Sequence, residues 1–199
     1  MLLDASVVRN FGVLGKGDIL LRLVAAPVLV DVVMSIDGDG EVPGIRSAIE
    51  RELLSFAIGS GEYSMWIAAL AGTDDLMNGL RARAQFLTLD PRAESIAYRL
   101  TSVTPEDRAW RTSLGVKVRR IHVGEAACIA VAVTRGIALA TDDNDAAHAY
   151  VGLSQRTPES TLSLLKRSAT LGMLDEPEAR AEWDRLNRRL RGQLNHPWA

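Results

Sequence analysis

Apolar positions recur along this chain in two rhythms. Short unbroken runs, Leu2-Leu3 ahead of Asp4, VLV at 28–30 and IALA at 137–140, have the length of buried strands, and the last of these is read as a short central strand. Between them lie stretches with helical spacing. Ser6 reads as the cap of a short helix through Phe11, and Asp18 precedes ILLRLV, a helical pattern that Pro27 interrupts before the second strand. After the turn-rich segment GDGEVPG, Ile45, Ile49, Leu53 and Phe56 share one helical stripe. SMWIAAL at 64–70 fits a helix or a strand equally well.

The second half is more regular. Phe86 to Leu89 predicts a strand, Pro91 opens a helix at its first turn, and Thr104-Pro105-Glu106 opens another that ends near Gly115. GEAACIAVAVTRG is apolar on nearly every face, as a buried helix is, with Gly136 as its C-terminal cap. Thr157 to Leu171 and Pro177 to Leu190 predict two amphipathic helices. Strands alternating with helices predict an α/β fold with a central, mostly parallel sheet, in which function gathers beyond the carboxyl ends of the strands.

Composition adds bounds. At 199 residues, 47% hydrophobic and 24% charged, the chain fits one globular domain with some elaboration. We read residues 1–153 as that domain and 154–199 as a helical extension packed on it or on a dimer partner. A formal net charge of −2 gives no global signal for nucleic acid, so a polyanion must bind through a local patch. The single cysteine, Cys128, lies in an apolar run and has no partner for an internal disulfide or a thiolate metal site. No signal peptide is evident, and no apolar stretch approaches the ~20 residues of a membrane span, so a soluble cytoplasmic protein without membrane association is expected.

The chemistry lies in the acids. A helix from Glu125 to about Arg135 and a strand from Ile137 to Thr141 would each be roughly 16 Å long. With Gly136 reversing the chain, Glu125 comes level with Asp142 and Asp143, and a parallel first strand delivers Asp4 to the same edge. Carboxylates gathered in one cleft repel unless a cation neutralises them, and oxygen-only ligands suit Mg²⁺ or Mn²⁺. Taken singly, each acid also has a plainer role: Asp4 as a helix cap, Glu125 as a complement to the helix dipole, Asp142, Asp143 and Asp145 as a polar turn.

These stretches resemble the PIN-domain nucleases, in particular a bacterial and archaeal branch carrying GEAxAIALA, a strand end with DD, and a GTLxxLLxAKxxG helix. The matching segments here are LLDASVVRNFGVLGKGDILLRL, APVLVDVVMSID, GEAACIAVAVTRGIALATDDNDAAHAYVGL and TPESTLSLLKRSATLGML. The resemblance fades between about Gly38 and Ile121. It implies a PIN-like three-layer fold with a C-terminal helical pair, and a Mg²⁺- or Mn²⁺-dependent endoribonuclease, often the toxin of a toxin–antitoxin pair and commonly a homodimer.

Carried over by position, Asp4 matches the first acid, Glu125 the third and Asp143 the fourth, with Asp142 an alternative or additional ligand. Ser6 matches the small hydroxyl residue after the first acid and is assigned to the substrate. The second acid departs from the pattern: the family has a glutamate in VPxxVxxE, whereas VDVVMSID offers Asp37, with Asp31, Asp39 and Glu41 as competing choices. Asp37 reaches about 1.5 Å less far than a glutamate, which predicts reduced metal affinity or activity.

Lys117, Arg119, Arg120 and His122 precede the Glu125 helix and form a candidate track for an RNA backbone, or a solvated edge. Trp66 and Trp110 are candidates for base stacking or for core packing. His148 reads as a surface or groove residue. The stripe Ala179, Trp183, Leu186 and Leu190 must bury against the domain or a second copy. The expected function is hydrolysis of RNA phosphodiester bonds by Asp4, Asp37, Glu125 and Asp143, with an RNA substrate and an antitoxin protein as partners. The alternative is a PIN-like module that binds RNA or protein without efficient chemistry. A phosphatase is less attractive, because Asp4-Ala5-Ser6 lacks a second aspartate.

Overall fold

The computed structural model describes residues 1–31, 63–117 and 120–189, together with 47, 50, 51, 54 and 198. Asp37, Asp39, Glu41, Arg119, Leu190 and the stripe expected at 45–56 lie outside the described residues. The described strands are β1 (Leu2–Leu3), β2 (Val28–Val30), β3 (Gln85–Leu87) and β4 (Leu139–Ala140). They form one open sheet in the order β3-β2-β1-β4, and every pairing is parallel. The architecture is α/β, as the alternation of patterns predicts.

The chain divides into two compact units. The first comprises Met1–Val7, Ala26–Pro43 and Ala84–Glu159 and holds the sheet. Its helices are α4 (Pro91–Thr101), α5 (Pro105–Ser113), α6 (Val123–Arg135) and α7 (Asn144–Ser154), and α1 (Ala5–Leu14) begins in it. Asp90 caps α4 by accepting the N–H groups of Arg92 and Ala93, and Thr104 caps α5 by accepting that of Asp107. Each cap satisfies donors that a helix start leaves open. Pro91 and Pro105, each at the first helical position, have no N–H to satisfy there.

α6 is buried from Ala126 through Ala132 and packs on β1, β2 and β4. Gly136 ends it in the left-handed conformation, φ +65°, a geometry that costs a side-chain-bearing residue more than glycine. Cys128 is buried within this helix, as its apolar neighbours predict.

Two features of this region differ from the sequence reading. IALA is expected as a central strand; among the described strands β4 lies beside β1 at one end of the order, and its other side carries a single parallel bridge from Ala140 to Glu159. An unbroken apolar run reports that both faces are covered, while the position across the sheet depends on backbone pairing, which side chains do not disclose. The paired strand is also shorter than expected, because the N–H of Ile137 bonds back to Ala132 O as part of the helix exit.

The second unit comprises Val8–Ala25, Gly44–Arg83 and Ser160–Ala199. In it α2 (Gly17–Leu23) packs on α3 (Tyr63–Arg83) and on α8 (Thr161–Thr170), and α8 packs on α9 (Glu176–Arg189). SMWIAAL therefore belongs to a helix. α8 starts with a capping box in which Ser160 and Ser163 satisfy each other's backbone donors. Ala179, Trp183 and Leu186 of α9 are buried within this chain, which accounts for that stripe without a second copy.

Candidate functional site

Parallel pairing delivers the acids to one edge of the sheet. Leu3 is level with Ala140, so the residues that follow them, Asp4 and Thr141, leave the sheet side by side. The N–H of Asp4 extends the ladder to Ala140 O at 3.0 Å. Asp4 itself is only 2% exposed, an unusual position for a carboxylate.

Four hydrogen bonds organise this edge. Asp4 Oδ2 accepts the Ser6 hydroxyl at 2.7 Å and the Thr141 hydroxyl at 2.9 Å. The Ser6 oxygen accepts the N–H of Asp142 at 3.1 Å, and the Thr141 oxygen accepts the N–H of Asp143 at 3.2 Å. Each hydroxyl has one proton, and each gives it to the same carboxylate oxygen. Ser6, expected to meet substrate, thus has its proton directed to Asp4. Beyond the start of α1, the Asp4 carboxylate also reaches Thr141, the residue after β4.

Burial pushes the Asp4 carboxyl above its ordinary range. The hydroxyls of Ser6 and Thr141 and the N–H of Ala5 act against that shift, while the negative charge of Asp143 adds to it. Asp143 is the N-cap of α7, its Oδ1 accepting the N–H of Ala146 at 2.7 Å. Asp142 is half-buried beside it.

Glu125 lies in the first turn of α6, half-buried, after the buried Gly124. Because α6 turns back at Gly136 into β4, its first turn points toward the carboxyl end of that strand. Asp31, one of the competing second acids, directly follows β2 and donates its N–H to Leu87 O at 3.1 Å. It stands at the same edge of the sheet.

Among the expected substrate contacts, Lys117, Arg120 and His122 are exposed. The N–H of Lys117 donates to Asp145 Oδ1 at 2.7 Å, which draws the start of the basic stretch to the first turn of α7. Spacing alone gave no sign of that link. His148 is exposed, in keeping with a surface or groove residue. Trp110 is half-buried and stacks against the Arg99 guanidinium, 4.0 Å from its ring centre.

Among the described residues no three His, Cys, Asp or Glu side chains form a group able to hold a metal ion. Asp4 is raised chiefly by its burial, and the charge of Asp143 adds the smallest part of that shift. Thr141 is the residue of this edge to which sequence reasoning gave no role, and Asp145, read there as part of a polar turn, accepts the N–H of Lys117. A hydroxyl immediately before a pair of aspartates at a strand end was the available signal for Thr141. No protein-family model, curated protein or solved structure matches the chain.

Proposed function

We propose that this chain is a divalent-metal-dependent nuclease of the PIN type that hydrolyses RNA phosphodiester bonds. The observation that carries the proposal is the placement of Asp4 and Asp143 at the carboxyl edge of a parallel sheet, with Asp4 buried and raised chiefly by that burial, the charge of Asp143 adding the least. A buried carboxylate with a perturbed pKa is a candidate for a functional group.

In this reading Asp4 and Asp143 would hold Mg²⁺ or Mn²⁺, and Asp142 and Glu125 add to an acidic wall at that end of the sheet without joining them in a three-acid group. The ion when bound supplies an activated water and offsets charge on the phosphate. A carboxylate of this wall orients the attacking water and takes its proton. Lys117, Arg120 and His122, exposed ahead of α6, approach the backbone of a single-stranded or looped RNA. The toxin role, an antitoxin partner, a homodimer and a cytoplasmic setting belong to the same proposal.

Cleavage of RNA in Mg²⁺ or Mn²⁺ by wild type, Asp4→Asn and Asp143→Asn tests it. Activity in the wild type alone supports the reading, and equal activity in all three rejects the site. A second reading, a PIN-like module that binds RNA or protein without efficient chemistry, draws on the lack of a third gathered carboxylate among the described residues. Binding of RNA by the wild type without cleavage in either metal favours it.

A further inference from the structure

The basic stretch ahead of α6 is fastened at both ends. At its start α5 closes on Leu114, and Gly115 turns the chain in the left-handed conformation, φ +84°. Val116 then buries with its N–H on Arg111 O at 3.1 Å, and the N–H of Lys117 reaches Asp145 Oδ1 at 2.7 Å. At the far end Ile121 buries with its N–H on Leu100 O at 3.1 Å. Between these anchors Lys117 and Arg120 are exposed. Neither is ion-paired to an acid among the described residues, which leaves both cations to an outside anion.

Three contacts hold the start of the stretch against α7. Leu114 lies so close to Gly152 that a Cβ there would come within 2.9 Å of Leu114 Cδ2 and 3.1 Å of its Cβ. Gly115 lies against His148, whose Cβ and Cγ would be 3.8 Å from an added Cβ. Asp145 makes the third contact, the polar one. It belongs to the first turn of α7, two residues after the N-cap Asp143. The turn of helix that presents Asp143 therefore also holds the backbone of Lys117.

We propose that Asp145 is a positioning residue that keeps Lys117 and Arg120 as a preformed ledge for the phosphate backbone of single-stranded RNA. The inference rests on the nuclease reading for its substrate. It gives Asp145 an effect opposite in sign to its charge.

A carboxylate beside two cations repels a polyanion, so on charge alone its removal would strengthen RNA binding. Here one carboxylate oxygen accepts the N–H of the residue that carries the first cation. Without that acceptor the loop start is free to leave α7, and binding then has to order the backbone as well as a long, rotamer-rich side chain. An asparagine keeps the acceptor and drops the charge, so the two effects separate.

Fluorescence anisotropy of a labelled, mixed-sequence, single-stranded oligoribonucleotide tests the proposal apart from cleavage. The full-length protein is titrated in chelator across a series of salt concentrations, with a melting curve for each variant. Asp145→Ala is expected to bind about 2–10-fold more weakly than wild type despite losing a negative charge, and Asp145→Asn at least as tightly as wild type. Lys117→Gln should lower the slope of log affinity against log salt by about 0.7, and Asp145→Ala added to it should weaken binding no further. Gly152→Ala leaves charge untouched and displaces Leu114, so it should weaken binding as Asp145→Ala does, and it gives the decision if Asp145→Ala does not fold.

Tighter or unchanged binding by Asp145→Ala overturns the inference, and so does additive weakening in the double variant, which shows a merely structural role. Wild type that fails to bind the RNA overturns it as well. Wild type that cleaves RNA in Mn²⁺ while Asp145→Ala binds like wild type leaves the nuclease reading standing without the ledge. The expected binding pattern in a wild type that cleaves in neither metal supports the ledge and removes the nuclease reading.

Discussion

Thr141 gives its hydroxyl proton to Asp4 across the boundary between two parallel strands, at 2.9 Å and a separation of 137 residues in the chain. The acceptor is a buried carboxylate whose pKa is raised chiefly by desolvation. Its unfolded counterpart ionises near 3.8 and its folded form at a higher pH. As pH rises through that window the unfolded state loses its proton first, so Asp4 lowers stability at neutral pH and does not do so below 3.8. In chelator, Asp4→Asn is expected to melt above wild type at pH 7, with the gap closing toward pH 4, while RNA cleavage falls to background. Melting curves at the two pH values check the sign.

Asp143 does two jobs that substitution separates. As N-cap of α7 it accepts the Ala146 N–H, a contact that asparagine can keep and alanine cannot. Urea denaturation is expected to show Asp143→Ala about 1 kcal/mol less stable than Asp143→Asn. Both variants lose cleavage to the same degree if the carboxylate charge is what the reaction needs.

Asp107 shifts the other way. Hydrogen bonds from Ser102, Arg99 and Thr104 hold its carboxyl down to about 2. Its contribution to stability is present above 3.8 and is lost as pH falls toward 2. Carboxyl chemical shifts followed by NMR from pH 5 downward are expected to give that low midpoint, and Arg99→Ala should move it back toward the ordinary value.

In the second unit, Gly17 lets α2 approach α3 closely. A Cβ at this position would lie 2.6 Å from Leu76 Cβ, an atom fixed to the helix backbone. Gly17→Ala is expected to cost about 1–3 kcal/mol in urea denaturation despite the better helix propensity of alanine. Trp183→Ala, which empties one of the largest fully buried side chains, should cost about 3–5 kcal/mol in the same assay.

The elements that sequence disclosed are those with a local signature. VLV is strand β2, and GEAACIAVAVTRG with its closing glycine is α6 almost to the residue. Asp4 stood out because it directly follows an apolar run, and the Asp142–Asp143 pair because only Thr141 separates it from one. Relations between distant segments were harder. Whether IALA is central or lateral depends on which strands pair, and SMWIAAL carries no periodicity that separates helix from strand. The hydroxyl bridges were hidden for a similar reason: Ser6 and Thr141 are ordinary residues in sequence, and only the parallel pairing of β1 with β4 makes them equivalent.

That pairing also orders events in time. β1 sits between β2 and β4, yet β2 is near it in the chain and β4 is far away. A β1–β2 pair can form early, but one side of β1 and the Asp4 carboxylate must wait for the last strand to arrive. Long-range parallel closure of this kind is slow, because the entropy of a large loop is lost before the contacts form. Until β4 is in place, a partly made chain holds Asp4 without Thr141, Asp142 and Asp143 beside it.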